Sequence, residues 1–205
     1  EKPLTYKNGL QIITFPDDNL RLFLIGQGPS TGGCVNLSGL GFIPDTNGDS
    51  QIDTDEALQV SAIWSQGANI SDITGLEWFT NLHSLGVAAN PIATLNPTTL
   101  QALVNLQFLT FSHTNVNHVD FSVLPNLTNL ISRYSSIDVL DLGTNHSLTT
   151  LTTKNCANLV SINIKNGIDQ EFTSSSGVVQ DCWANCPNLT NICVDDSELT
   201  AVQNY

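Results

Sequence analysis

Apolar residues recur through the middle of this chain at fixed offsets of 0, 3, 5, 10 and 13 from a leading leucine. One block carries them at Leu82, Leu85, Val87, Ile92 and Leu95, and the next at Leu106, Leu109, Phe111, Val116 and Val119. A third repeats Leu127, Leu130, Ile137 and Leu140, with Ser132 breaking the pattern. Weaker copies begin at Val60, with Ile63, Ile70 and Ile73, and at Leu148, with Leu151. The starts at 60, 82, 106, 127 and 148 are 22, 24, 21 and 21 residues apart, and the next start is read at Leu189, 41 residues on.

Such a pattern is the signature of a stacked repeat. Each copy supplies a short strand whose alternate side chains point inward, then a turn and a return segment. One copy cannot bury its apolar face alone, but stacked copies share a continuous core with their strands in parallel. An amphipathic helix is ruled out because the 3, 2, 5, 3 spacing recurs and Pro91, Pro97 and Pro125 interrupt any long helix. The spacing therefore predicts parallel strands near 84–87, 108–111, 129–132 and 150–153 in an α/β solenoid spanning residues 60–205, with an irregular C-terminal end. Residues 1–59 lack the repeat and are expected to form an N-terminal cap. Asp17 or Asp18 would start a short helix there, with Leu20, Phe23 and Leu24 on one side, and Gly26 and Gly28 would end it.

These blocks resemble the leucine-rich repeats of exported bacterial proteins, those of Bacteroidetes in particular and internalins more loosely. ITGLEWFTNLHSL, with Gly75, Leu76 and Phe79, is similar to their common block; FPDDNLRLFL is similar to their N-terminal cap and CPNLTNICVDD to their final repeat. The resemblance implies a solenoid with a parallel sheet on its concave face, a helical cap, and a secreted or cell-surface bacterial location. One departure matters. The position that the family fills with Asn is occupied here by Asn90, Thr114, Ser135 and Cys156, so no Asn ladder is assumed.

Within the cap, DTNGDSQIDTDE places oxygen side chains at loop positions 1, 3, 5, 9 and 12: Asp45, Asn47, Asp49, Asp53 and Glu56, with apolar Ile52 at position 8. This spacing resembles an EF-hand calcium loop, in which Gln51 would add its backbone carbonyl. A hard cation needs such oxygen ligands, and one loop can wrap it only where ligands alternate with turns. Ser50 stands where glycine is usual at position 6, and the segment before the loop has no helical period. A structural Ca2+ is the expected cofactor; the alternative is an acidic turn that caps the following helix.

Residues at offsets 2, 4 and 6 of each repeat point away from the core onto the concave sheet. Most are small and polar; Trp64, Phe108, Ile131 and Arg133 are the exceptions and the candidate ligand-binding residues. Exposed aromatics beside small residues suit a sugar ring or a peptide side chain. Formal charge is −13, from 19 acidic against 6 basic residues, which opposes nucleic acid and anionic membrane surfaces. No apolar run is long enough to span a bilayer. His83, His113, His118 and His146 form no zinc pair, and no nucleophile elbow, phosphate loop or dinucleotide fingerprint is present.

Five cysteines cannot all pair within the chain. Cys156 is expected to be a buried thiol, and a disulfide is expected among Cys182, Cys186 and Cys193. The chain reads as truncated after AVQNY, with Cys193 having lost a partner. The resulting expectation is a monomeric, non-enzymatic module that binds a protein or glycan on its concave face. The alternative is a spacer or accessory domain of a larger surface protein or enzyme.

Overall fold

A computed structural model describes residues 5–7, 9–28, 32–168 and 182–202. It opens with an antiparallel hairpin, β1 (Thr5–Lys7) and β2 (Leu10–Ile12), in which Gly9 turns the chain at φ 85°. Helix α1 (Asp18–Leu24) follows, its first turn held by Asp17, whose carboxylate accepts the Leu20 N–H at 2.9 Å. Leu20, Phe23 and Leu24 are buried on the expected side. A second hairpin, β3 (Gly33–Asn36) and β4 (Gly41–Phe42), and the short helix α2 (Thr54–Ala57) complete this part. A helical cap was expected; what is built combines two hairpins with two short helices. Gly9, whose left-handed backbone suits a tight turn, accounts for the first.

From Val60 the repeat takes over. Strands β5 (Val60–Trp64), β6 (Ser84–Gly86), β7 (Phe108–Thr110) and β8 (Asn129–Ile131) lie side by side in parallel. The leucines of the pattern face inward: Leu85, Leu109 and Leu130 are fully buried. Strand β3 pairs antiparallel with β5, so the N-terminal hairpin covers the backbone edge that the first repeat would leave open.

The return side changes character along the chain. It begins with a 3-10 turn at Leu76–Trp78 and helix α3 (Pro97–Ala102), which has Asn96 as its cap and Pro97 in its first turn. A second 3-10 turn, Phe121–Val123, follows. From β8 onward the return segment is a strand: β9 (Val139–Asp141), then β11 (Ser161–Asn163) and β12 (Asn191–Cys193), which form a parallel three-stranded sheet. Between them β10 (Thr150–Thr152) joins β8 and completes a seven-stranded sheet in the order β10, β8, β7, β6, β5, β3, β4. Helix α4 (Leu199–Val202) is the last described element. The alternating pairs Leu140 and Leu142, and Ile162 and Ile164, all buried, are the period-2 signal for the second sheet.

Buried polar residues hold successive turns together. Asn90 donates through Nδ2 to the carbonyls of Ser65 (2.7 Å), Val87 (3.0 Å) and Ala88 (3.2 Å) and accepts the Ile70 N–H at 2.9 Å. At the equivalent positions Thr114 and Ser135 each donate to a single carbonyl, those of Phe111 and Ser132, and Cys156 reaches Ser132 at 2.8 Å. A separate surface ladder is formed by Asn81, Asn105 and Asn126. Each donates to a carbonyl of the preceding turn, Leu58, Thr80 and Val104, at 2.8 Å.

The last block corrects the sequence reading. Leu189 does not start a strand of the first sheet but takes the place of Leu159 on the return side: Asn188 donates to Ala157 as Asn158 does to Ser136, and β12 pairs with β11. Residues 182–184 continue the first sheet instead, through Thr153 N–H to Cys182 O and Asn155 N–H to Ala184 O. This turn is longer than the others, since Thr190 meets Val160 across 30 residues where Ser112 and Arg133 meet across 21. Cys156 is fully buried, and no disulfide joins the five cysteines in the structure. Cys186 stands beside Cys156 rather than closing a loop with Cys193: it occupies the same position one turn later and donates to Thr153 O at 3.0 Å. Burial pushes the Cys34 thiol up to about 12.

Candidate functional site

Three rows of side chains face outward across the five parallel strands. Strand register aligns Ala62, Ser84, Phe108, Asn129 and Thr150 in one row and Trp64, Gly86, Thr110, Ile131 and Thr152 in the second. The third lies just past the strands, where Gln66, Ala88, Ser112, Arg133 and Lys154 occupy successive turns, linked by Gly67 N–H to Ala88 O, Ala89 N–H to Ser112 O, His113 N–H to Arg133 O and Tyr134 N–H to Lys154 O. These are the outward positions that the repeat offsets specify.

At the β5–β7 end the face is aromatic. The Trp64 ring lies across Gly86, where a β-carbon would collide with it, and meets Phe108 edge-on with ring centroids 5.3 Å apart and planes at 63°. Trp64 remains 37% exposed and Phe108 is half-buried. The two therefore form one platform across three strands, and Gly86 is the seat that lets the indole lie down. Ile131 is half-buried one strand beyond Phe108.

At the β8–β10 end the face is cationic. Arg133 and Lys154 sit on adjacent turns, and the Arg133 Nε is shut off from water with no acceptor in the chain. Just past them, His113 and Tyr134 stack with centroids 4.4 Å apart and planes at 16°. Both have left-handed backbone, φ 56° and 54°, at a corner that Gly67, Ala89 and Asn155 fill in the other turns. None of the fifteen residues in the three rows is Asp or Glu, in a chain with 19 of them. The repeat offsets place Gly86 and Lys154 on this face without singling them out as binding residues, and they miss His113 and Tyr134. The signal was the residue preceding each ladder position, which is aromatic only at His113 and Tyr134.

The acidic loop lies in the N-terminal part. Asp45 accepts the backbone N–H groups of Asp49 (3.1 Å) and Ser50 (2.9 Å), Asn47 accepts Asp49, and Asp49 accepts Gln51. Gly48 and Ser50 are both left-handed, φ 71° and 63°, so Ser50 adopts the turn for which glycine is usual. In residue type and backbone path the loop suits a hard cation. Its side chains do not converge on one point. Glu56 is turned into a capping box with Asp53, accepting Asp53 N–H at 3.1 Å, while its other oxygen takes the Thr46 N–H at 2.8 Å. The Lys7 ammonium lies 2.7 Å from Asp49 and holds that carboxyl below the usual range. Among the described residues no group of three or more His, Cys, Asp or Glu is arranged to hold a metal ion, and no helix is long and apolar enough to cross a membrane.

The sequence matches no protein-family model and no curated protein. Among solved structures, the chain resembles an internalin, InlF, from Listeria monocytogenes, with a TM-score of 0.52 and 16% identity over 88% of this chain and 56% of that one. A second internalin from the same organism, InlC2, aligns at a TM-score of 0.43 and 15% identity over 92% of this chain and 90% of that one. The first likeness shows the fold, a leucine-rich-repeat solenoid. The chain spans 56% of the length of that structure.

Proposed function

We propose that this chain is a protein-binding module of a secreted or surface-displayed bacterial protein, using the concave face of the seven-stranded sheet. The observation that carries this reading is the aromatic platform. An indole held flat over a glycine and braced by a phenyl ring presents rigid apolar area with its conformational freedom already spent, the quality of a binding hot spot. Its surroundings are small and polar, so the ring is accessible without being part of a large greasy patch.

The test is selection from a displayed library of random twelve-residue peptides. The selected peptides should lose at least tenfold in affinity on Trp64→Ala, because truncating a hot-spot aromatic removes more than about 1.4 kcal/mol. Gly86→Val should cause a similar loss while leaving both aromatics in the sequence, since its side chain would lift the indole from its seat. Both variants should keep the wild-type melting temperature within a few degrees. Peptides that bind wild type, Trp64→Ala and Gly86→Val equally would show that the platform is not the binding surface and defeat this reading. The spacer reading, in which the face binds nothing, is the corresponding outcome of an empty selection.

We also propose that residues 45–56 bind one structural calcium ion through Asp45, Asn47, Asp49, Asp53 and Glu56, with the Gln51 carbonyl. The oxygen spacing and the left-handed Ser50 support it. Binding would require Glu56 to leave its contacts with Thr46 and Asp53, and the ion to compete with Lys7 for Asp49. Calcium in excess over chelator should then raise the melting temperature through linkage. Asp45→Ala should remove that rise, and Lys7→Ala should shift it to lower calcium concentration. An identical melting temperature in calcium and in chelator would leave the loop a capped acidic turn.

A further inference from the structure

We infer that the partner of this face is an acidic segment of a protein, with an apolar side chain on the Trp64–Phe108 platform and a carboxylate at Arg133 and Lys154. This rests on the protein-binding reading above and adds the chemistry of what is bound. The first observation is the distribution of charge. A chain of net charge −13 has kept every carboxylate off the three outward rows, and the two charges that remain there, on adjacent turns, are both positive. A basic or neutral partner would give no reason for that arrangement, because a carboxylate on the face would serve the first and be indifferent to the second.

Geometry makes the second observation. Trp64 and Arg133 lie three strands apart in the sheet, which at the usual spacing of nearly 5 Å per strand is about 14 Å. An extended peptide rises about 3.3 Å per residue, so the apolar residue and the acidic one should be about four positions apart. Ile131 lies between the two ends, opposite Thr110 and diagonal to Phe108 on the neighbouring strand, and gives the intervening residues an apolar floor. Arg133 is half-buried on this face, so part of its side chain is open to a partner. The planar, forked donors of a guanidinium match a carboxylate. The carboxylates elsewhere on the molecule do not cancel this attraction at physiological salt, because beyond about 8 Å exposed charges are largely screened.

The same peptide selection decides the question, followed by two charge-reversal variants, Arg133→Glu and Lys154→Glu, of the full chain. Peptides dependent on Trp64 should carry Asp or Glu about four residues from an apolar residue. Their affinity should fall at least tenfold on Arg133→Glu, and replacing their acids with Lys should restore binding to that variant. Arg133→Gln serves as the milder change, with the circular dichroism spectrum required to match wild type. Selected peptides that need Trp64 but show no excess of Asp or Glu, or that bind Arg133→Glu and Lys154→Glu as well as wild type, would overturn the inference and leave the protein-binding reading standing. Peptides indifferent to Trp64 would overturn both. A neutral oligosaccharide array giving Trp64-dependent binding that neither charge reversal alters would likewise remove the acidic partner.

Discussion

Asn90→Ala should lower the melting temperature by about 10 °C, whereas Thr114→Ala, one turn further on at the same position, should lower it by about 3 °C. Asn90 is 2% exposed and closes four hydrogen bonds: three carbonyls from two turns of the chain receive its amide protons, and its own carbonyl receives the Ile70 N–H. Alanine leaves buried backbone groups without partners, at a cost of about 1 kcal/mol or more each, so a loss of about 3 to 4 kcal/mol is expected. Thr114 makes one such bond, to Phe111 O, and its removal should cost about 1 kcal/mol. In a protein of this size each kcal/mol moves the midpoint by about 3 °C. Thermal unfolding of the two variants under one set of conditions measures the difference. Equal shifts would mean that the Asn90 network does not carry the weight its geometry implies.

That contrast also shows where the sequence was informative. The repeat offsets located every strand of the parallel sheet from β6 to β10 and every leucine beneath them, because stacking forces one inward position per strand to be apolar in each turn. The same offsets identified Trp64, Phe108, Ile131 and Arg133 as outward residues, but not what they do to one another. Gly86 became meaningful only once the register set it between Trp64 and Thr110. The absence of acids from the face is contained in the same offsets, since the fifteen outward positions include no Asp or Glu.

The return side was harder to read because it has no single solution. A helix, a 3-10 turn and a strand all bury one apolar stripe there, and only the alternation of Leu140 with Leu142 and of Ile162 with Ile164 distinguishes the strand. The last block misled for a related reason. CPNLTNICV and CANLVSINI share the Asn-Leu pair that elsewhere precedes an inward strand, so Leu189 looked like a repeat start, and only pairing with β11 fixes it on the other side.

Asp17→Ala should cost about 3 kcal/mol, and Asp17 should give the wild type a loss of stability in acid that Asp17→Asn does not share. Asp17 is 7% exposed, and its carboxylate bridges parts of the chain more than fifty residues apart: one oxygen takes the Leu20 N–H at the start of α1, and the other takes the N–H and hydroxyl of Ser71, both at 2.7 Å, and the Asp72 N–H at 3.3 Å. Burial alone would raise its pKa, but the hydrogen bonds from Ser71, Leu20 and Asp72 outweigh it and hold the carboxyl below its ordinary value. The unfolded chain therefore takes up this proton first. Asp17 contributes its full stabilisation above the ordinary carboxylate pKa of about 3.9, and loses it as the pH falls through the lower folded value. Alanine also removes a helix cap and takes a charged acceptor from the partly buried bonds of Ser71 and Asp72 in the first repeat, which together support the estimate of about 3 kcal/mol at neutral pH. Because the bonds join the N-terminal part to the first repeat, the variant should unfold in two steps, with residues 5–57 released before the solenoid. Hydrogen exchange resolved by segment at pH 7 would show this as early exchange confined to α1 and α2. Uniformly faster exchange along the whole chain, or a wild type and Asp17→Asn that lose stability in parallel below pH 4, would show that Asp17 is not the latch between them.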